Sequence, residues 1–462
     1  MENIKSKTKI LSVINLIKSR IDDKSLLSGS KLPSLRKVSN EMGVSVSTVV
    51  EAYDRLISED IIESRPGAGY FVKGLTTHFP IIESIQNYDR EVDPLWISRQ
   101  SFEANADTLK PGCGWLPNEW LPEEIIRKAI RKVSSLDAKE LLSYSSPLGH
   151  QPLRELICRR LQIQGSYIHP EQIMLTDCGT QAIDIICRLY LKPGDVVLID
   201  DPCYFNFHAL LNLSQTKIIA IPFTKDGPDV EAFRNTLSLN PKLYITNSGI
   251  HNPTGASLSV STAHQILKFV EQANMLIIED DIFADFELAP APRYAALSAF
   301  KHVVQIGSFS KSLSGSLRCG YIAAKPELIE HCIKLRIATN LSTNYLNSTL
   351  IYHALSHSQY RKHLDYIHSK LTQSRINVMG KLLELDIKPW VIPKAGIFLW
   401  CKLPHHIDTT QLSQAAFKHN IILAPGNVFS QSTYAKQYMR FNVAQCQHQK
   451  IFDVLEHFLI KT

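Results

Sequence analysis

Between Lys9 and Ile21 the apolar residues fall at Ile10, Val13, Ile14, Ile17 and Ile21, with Lys18 and Arg20 off that stripe. The spacing predicts an amphipathic helix. After a Gly29-Ser30 break, Leu35, Val38 and Met42 share a second helical face, and Ser34, next to Pro33, is placed to cap it. Gly43 ends that helix and permits a tight turn before Ser45-Val46-Ser47-Thr48. A third helix is expected to about Ser58, burying Val49, Tyr53, Leu56 and Ile57. Two β-patterned runs, Ile61 to Ser64 and Tyr70 to Val72, flank Arg65-Pro66-Gly67-Ala68-Gly69 and predict a hairpin with a glycine-rich tip.

From Leu75 to Ala106 the pattern weakens, with Pro80 and Pro94 interrupting it, and this stretch reads as an interdomain linker. From Asp107 onward strands alternate with helices. Val196–Ile199, Ile218–Ile221, Leu243–Thr246, Leu276–Ile278 and Val303–Ile306 are short apolar runs, with helical stretches such as Ala263–Gln272 between some of them. Continuous apolar strands between helices imply a largely parallel sheet covered on both faces.

At 462 residues the chain exceeds one ordinary domain. Its 44% hydrophobic and 20% charged residues suit a soluble protein with a sizeable core. A net charge of +6 is too mild to argue for nucleic acid, although residues 1–74 carry +3 of it. The nine cysteines are scattered without a C-x-x-C pair, so they read as reduced thiols rather than disulfides or metal ligands. The first residues lack the apolar stretch of a signal peptide, and no apolar run reaches the roughly eighteen residues of a membrane span. A cytoplasmic protein without bound metal is expected.

Helix, helix, turn, helix and hairpin is an order suited to a major groove. The third helix enters by its N-terminus, where Ser45, Ser47 and Thr48 offer hydroxyls and backbone N–H groups to phosphates or base edges. Arg36 is placed to reach the sugar-phosphate backbone. The spacing serves two plainer readings equally well: Ser45 as a helix cap and Arg36 as a solvated charge. Leu32-Pro33-Ser34-Leu35-Arg36, Gly43 to Val49, Ala52 to Leu56 and Pro66 to Val72 together resemble the DNA-binding domain of the GntR family, in order and over its full extent. The resemblance implies that Arg36, Ser45, Ser47, Thr48 and the wing tip near Arg65 and Gly67 contact a double-stranded operator. Family members often carry arginine where this chain has Val46, so a cation that reads guanine or phosphate is missing here.

Beyond residue 176 lie six separated segments whose chemistry converges on pyridoxal 5'-phosphate. Ser308-Phe309-Ser310-Lys311, with Arg318 seven positions on, sets an amine for a Schiff base among small residues and phosphate-binding groups. Gly179 and Thr180 open a helix after an apolar run and supply N–H groups for a phosphate. Tyr204, after Asp200-Asp201-Pro202, offers an aromatic plate for the ring. Asn252, in His251-Asn252-Pro253-Thr254-Gly255, suits the phenolate oxygen. A carboxylate of Glu279-Asp280-Asp281 can keep the pyridine nitrogen protonated, and Arg440 can clamp a carboxylate. Singly each has a plainer reading: a surface lysine, a capping aspartate, a salt-bridged arginine.

Jointly, with Pro147-Leu148-Gly149, Gly396 to Trp400 and Pro425-Gly426, they resemble the fold type I aminotransferases over about residues 107–462. The resemblance implies that Lys311 carries the cofactor, Asp280 pairs with the pyridine nitrogen, Asn252 binds the phenolate oxygen and Tyr204 stacks. It places the phosphate on Gly179, Thr180, Ser308, Ser310 and Arg318, and implies that Tyr144 completes this site from the other subunit of a dimer. One departure follows Asp280, where a family tyrosine is replaced by Ile282 and Phe283.

The expected architecture is a winged helix-turn-helix (residues 1–74), a linker (75–106) and an α/β aminotransferase class I/II-like domain (107–462) with a smaller C-terminal α+β part. That arrangement resembles MocR-type transcription regulators. It implies a homodimer that binds DNA and senses pyridoxal phosphate, or an amino compound, through a Lys311 aldimine. The alternative is a working aminotransferase with a DNA-binding appendage; the retained Lys311, Asp280 and Arg440 permit it, while Ile282 and Phe283 weigh against full turnover.

Overall fold

The computed structural model describes residues 2–23, 25–27, 29–73, 94–105, 107–404 and 407–460. They fall into two units, divided between Asp89 and Arg90.

The first unit holds helices α1 (Glu2–Asp22), α2 (Leu35–Met42) and α3 (Val46–Ser58), then strands β1 (Ile62–Arg65) and β2 (Gly69–Val72). Ile10, Val13, Ile14 and Ile17 of α1 meet Val38, Val49, Tyr53, Leu56, Ile62 and Val72 in one core. Each fully buried aliphatic side chain there contributes about 1.5–3 kcal/mol. Ser34 caps α2 by accepting from Lys37 N, and Gly43 ends it at φ +62°. Buried Ser39 donates to Val44 O at 2.6 Å across the turn between α2 and α3, and Tyr53 donates to Pro33 O at 3.0 Å, tying α3 to the start of α2. β1 and β2 pair antiparallel around a turn in which Ala68 N donates to Arg65 O. The helix-turn-helix and the wing lie where the apolar pattern put them.

Part of the stretch read as linker is ordered differently. Pro94–Glu103 is a helix, α4, in the second unit, with Ile97 buried and Phe102 stacked on Trp115 at 5.4 Å. Its apolar residues are too few and too interrupted to announce a helix, and packing decides it. Residues 74–93 of that stretch lie outside the described residues.

The second unit is built on an eight-stranded sheet. In chain order its strands are β3 (Ile173–Thr176), β4 (Val196–Asp201), β5 (Lys217–Thr224), β6 (Gly227–Pro228), β7 (Leu243–Thr246), β8 (Leu276–Asp280), β9 (Val303–Ser308) and β10 (Gly320–Ala323). Their spatial order is β3-β10-β9-β8-β7-β4-β5-β6. β5, β4, β7, β8 and β9 run parallel, whereas β10 and β6 run against their neighbours. β3, β7 and β10 are buried at every residue, because helices cover both faces. A second, antiparallel sheet has β11 (Lys388–Pro389), β12 (Phe398–Lys402), β13 (Ala424–Pro425) and β14 (Tyr438–Asn442) in the order β11-β12-β14-β13. It forms the smaller C-terminal part around its own core.

Candidate functional site

A parallel sheet gathers residues at the carboxyl ends of its strands, where the connecting loops leave a crevice. Five of the sequence-predicted segments end there. β3 leads to Gly179 and Thr180, β4 to Tyr204, β7 to Asn252, β8 ends in Asp280, and β9 ends in Ser308 just before Lys311. β14 of the small sheet supplies Arg440, fully buried.

Lys311 Nζ donates to Gly114 O at 2.7 Å and lies 5.7 Å from the centre of the Phe283 ring. Burial, and then the charge of Arg440, lower its pKa to about 8. Asp280 is buried, and its pKa is pushed up to about 7 by the same loss of water; Ile282 N donates to its Oδ1 at 3.3 Å. Among the described residues no cation stands within ion-pair distance of Asp280. Its neighbour Asp281 is different, held by Arg293 Nε at 2.7 Å and by Gln305 Nε2 at 2.9 Å. Tyr204 has its phenol pushed up to about 12 by burial and by Asp280.

Arg440 spends its guanidinium inside the protein. Nη1 donates to Asn252 Oδ1 at 2.7 Å and Nη2 to Gly112 O at 2.6 Å, between the Phe398 and Phe429 rings at 4.3 and 4.5 Å. Nε is buried without a partner among the described residues, and burial lowers the side chain's pKa to about 10. The carbonyl of Asn252 is thereby taken, and its amide keeps its two N–H donors.

At the helix Gly179–Tyr190, Cys178 caps the first turn through Sγ. Gly320 of β10 passes so close that a Cβ there would lie 2.7 Å from Cys178 C and 2.8 Å from Gly179 N. A Cβ on Gly179 would lie 3.1 Å from Ile282 Cγ2 and 3.8 Å from Ser308 Cβ. Two bare glycines therefore keep Gly179 beside Ser308, whose Oγ lies 3.1 Å from Ser310 Oγ. Arg318 is exposed and holds φ +43°, a conformation that costs an arginine energy and is more often found at functional sites. Tyr144 is not brought to these groups; it is 84% exposed after the helix Ala138–Leu142.

Sequence reasoning missed the segment Pro111-Gly112-Cys113-Gly114-Trp115, which supplies carbonyls to Arg440, Lys311 and Asn442. Its signal was there in two glycines one residue apart, since a Cβ on Gly112 would lie 2.5 Å from Ala424 N.

In the first unit the Ser45 hydroxyl accepts from Thr48 N at 3.2 Å and lies 2.9 Å from Ser47 Oγ and 2.7 Å from Thr48 Oγ1. Ser45 thus caps α3 while all three hydroxyls cluster at its open N-terminus. Arg36 is exposed on α2; Arg65 is paired with Glu63 at 2.6 Å and lies over the Phe71 ring, beside Gly67 at φ +74°.

Residues 116–458 match the model of aminotransferase class I and II, and the chain belongs to that family. Residues 9–72 match bacterial regulatory proteins of the gntR family. A gntR-type winged helix fused to an aminotransferase-type domain is the build of MocR-type regulators. The chain is 27% identical over 456 residues to the uncharacterized HTH-type transcriptional regulator YdfD of Bacillus subtilis, covering 96% of this chain and 94% of that one. It is 29% identical over 427 residues to YdcR of Escherichia coli, likewise an uncharacterized HTH-type regulator, covering 90% and 91%. Among solved structures, Pyrococcus horikoshii kynurenine aminotransferase, in complex with PMP, shares the fold at TM-score 0.72 and 24% identity, covering 82% of this chain and 97% of that one. LysN of Thermus thermophilus, complexed with N-(5'-phosphopyridoxyl)-L-leucine, does so at 0.71 and 21%, covering 79% and 95%.

Proposed function

We propose that the protein is a DNA-binding transcription regulator whose aminotransferase-like unit holds pyridoxal 5'-phosphate and senses an amino compound with it. The observation that carries this reading is the joint presence, in one chain, of an open helix N-terminus for DNA and of Lys311, Asp280 and Asn252 at the strand ends of an aminotransferase sheet.

The site fits the cofactor on its own chemistry. Asp280 is a buried carboxyl with no cation at ion-pair distance among the described residues, the complement of a protonated pyridine nitrogen. Gly320 lets β10 pack against the backbone of Cys178 and Gly179, and the helix N-terminus so placed beside Ser308 and Ser310 offers N–H groups to a phosphate. The cofactor supplies a carbonyl for an amine and a ring that accepts electrons. Lys311, at a pKa of about 8, is partly unprotonated near neutral pH, so its amine is available both for attachment and for taking a proton. Asn252 Nδ2, which has no hydrogen-bond partner among the described residues, can donate to the ring oxygen, and Tyr204 lies close to Asp280 and Arg440. A carboxylate that reaches Arg440 competes with Gly112 O and Asn252 Oδ1 for the guanidinium, which gives two of its five N–H donors to them, so ligand binding can loosen internal contacts. Such loosening lets a ligand bias two arrangements of the unit. In this reading two chains pair in the cytoplasm, Tyr144 reaches the partner's cofactor site, and the winged helices meet two half-sites through Arg36, Ser45, Ser47, Thr48, Arg65 and Gly67.

Sensing needs only the first chemical step, whereas turnover needs all of them. Ile282 and Phe283 stand where the resemblance expects a tyrosine, and this favours sensing. Single-turnover absorption spectroscopy with a panel of amino acids, read beside DNA affinity, tests this. A spectral change coupled to altered DNA affinity, with slow transamination, is expected. Rapid multiple turnover with unchanged DNA affinity would establish the enzyme instead.

A further inference from the structure

The helix Gly179–Tyr190 packs against the helix Pro326–Thr339 in the second unit. Between them lies a cleft of about 370 Å³, lined by Gln181, Asp184 and Arg188 on one side and by Arg336, Thr339 and Asn340 on the other. Arg336 is 1% exposed, yet its Nε, Nη1 and Nη2 all lack a hydrogen-bond partner among the described residues. Burial lowers its pKa, and Asp177 is the main charge opposing that fall. Asp177 is otherwise engaged: its Oδ2 accepts from Gln181 Nε2 at 2.9 Å and from Asn340 Nδ2 at 3.3 Å. Arg188 stands exposed and is paired with Asp184 at 2.8 Å. The cleft thus carries two arginines, of which Arg188 is paired with Asp184 of its own helix and Arg336 is not hydrogen-bonded among the described residues.

A buried guanidinium without partners is among the least favourable groups a fold can retain, and an anion at its planar fork removes that penalty. We propose that this cleft is a second anion site, apart from Lys311, that takes a small oxyanion, phosphate or carboxylate, on Arg336. Gln181 and Asn340, each of which gives one N–H to Asp177 and has a second, line it beside Arg336, and the exposed Arg188, Thr339 and Asn340 mark its entrance. The inference rests on the cleft and on Arg336 and is independent of the cofactor reading.

Isothermal titration calorimetry of the full-length protein tests it, with inorganic phosphate at ionic strength held constant by chloride, in the presence and absence of saturating pyridoxal phosphate. Saturable binding is expected in both conditions, and Arg336→Gln should weaken it at least about tenfold, as loss of a charge-assisted contact does. Succinate in place of phosphate separates the carboxylate from the phosphate source. Thr339→Asp, at an exposed position, should bring a carboxylate to Arg336, abolish phosphate binding and raise the melting temperature. That variant keeps the test decisive should Arg336→Gln fail to fold. Absence of saturable binding, or unchanged binding in both variants, would overturn the proposal. So would binding that disappears with pyridoxal phosphate, which places the anion in the cofactor cradle. A wild type that ignores phosphate while Arg336→Gln dissociates into monomers would show that a second copy fills the cleft, and also overturns it.

Discussion

Asp280→Asn separates what the fold tolerates from what the cofactor needs. In the cofactor-free protein, burial raises the Asp280 pKa from 3.8 to about 7. The unfolded chain releases its proton above the lower value, while the folded chain keeps it up to the higher one. Stability therefore falls as pH rises from 3.8 toward 7 and levels off beyond. A difference of about three pH units corresponds to about 4 kcal/mol at most. Asparagine has the same shape and keeps an oxygen for Ile282 N, but carries no proton to lose. Urea unfolding of the cofactor-free proteins should find the variant equal to wild type near about pH 4 and more stable by several kcal/mol near about pH 8. With pyridoxal phosphate present the order should reverse, because only the wild-type carboxylate pairs with the pyridine nitrogen. A wild-type-to-variant difference that stays flat with pH in the cofactor-free protein would refute the burial argument. An unaltered cofactor affinity in the variant would refute the pairing.

Gly320→Ala should lower stability by about 1–3 kcal/mol and weaken the cofactor, read by melting temperature and by titration, because the new methyl meets the backbone of Cys178 and Gly179. Ser45→Ala should cost the first unit about 1 kcal/mol and weaken DNA binding, since the same hydroxyl caps α3. Arg36→Ala should leave stability within about 0.5 kcal/mol. It should flatten the salt dependence of DNA affinity by about one unit of slope, checked by titration across salt. Phe283→Tyr should move the pH of the cofactor's visible transition downward and speed transamination, because a phenol near Lys311 donates to the ring oxygen; an unchanged pH profile would count against this placement.

The winged helix was legible because it is local. Ser34, Gly43 and Ser45 act on residues within five positions of themselves, so the cap, the turn and the helix period are all visible along the chain. The order of the cofactor segments was legible for a related reason, since strands buried on both faces read as apolar runs with the chemistry at their ends. Helix α4 within the expected linker was not legible, because its docking depends on partners far along the chain, such as Phe205 and Val428. Tertiary structure alone decided how Arg440 is used. The sequence shows an arginine that could hold a ligand, but Gly112 and Asn252, which accept from it, stand 328 and 188 positions away and meet it only in the folded unit. The isolation of Arg336 belongs to the same class. Whether a buried charge has a partner depends on distances in space, and no spacing along one chain records them.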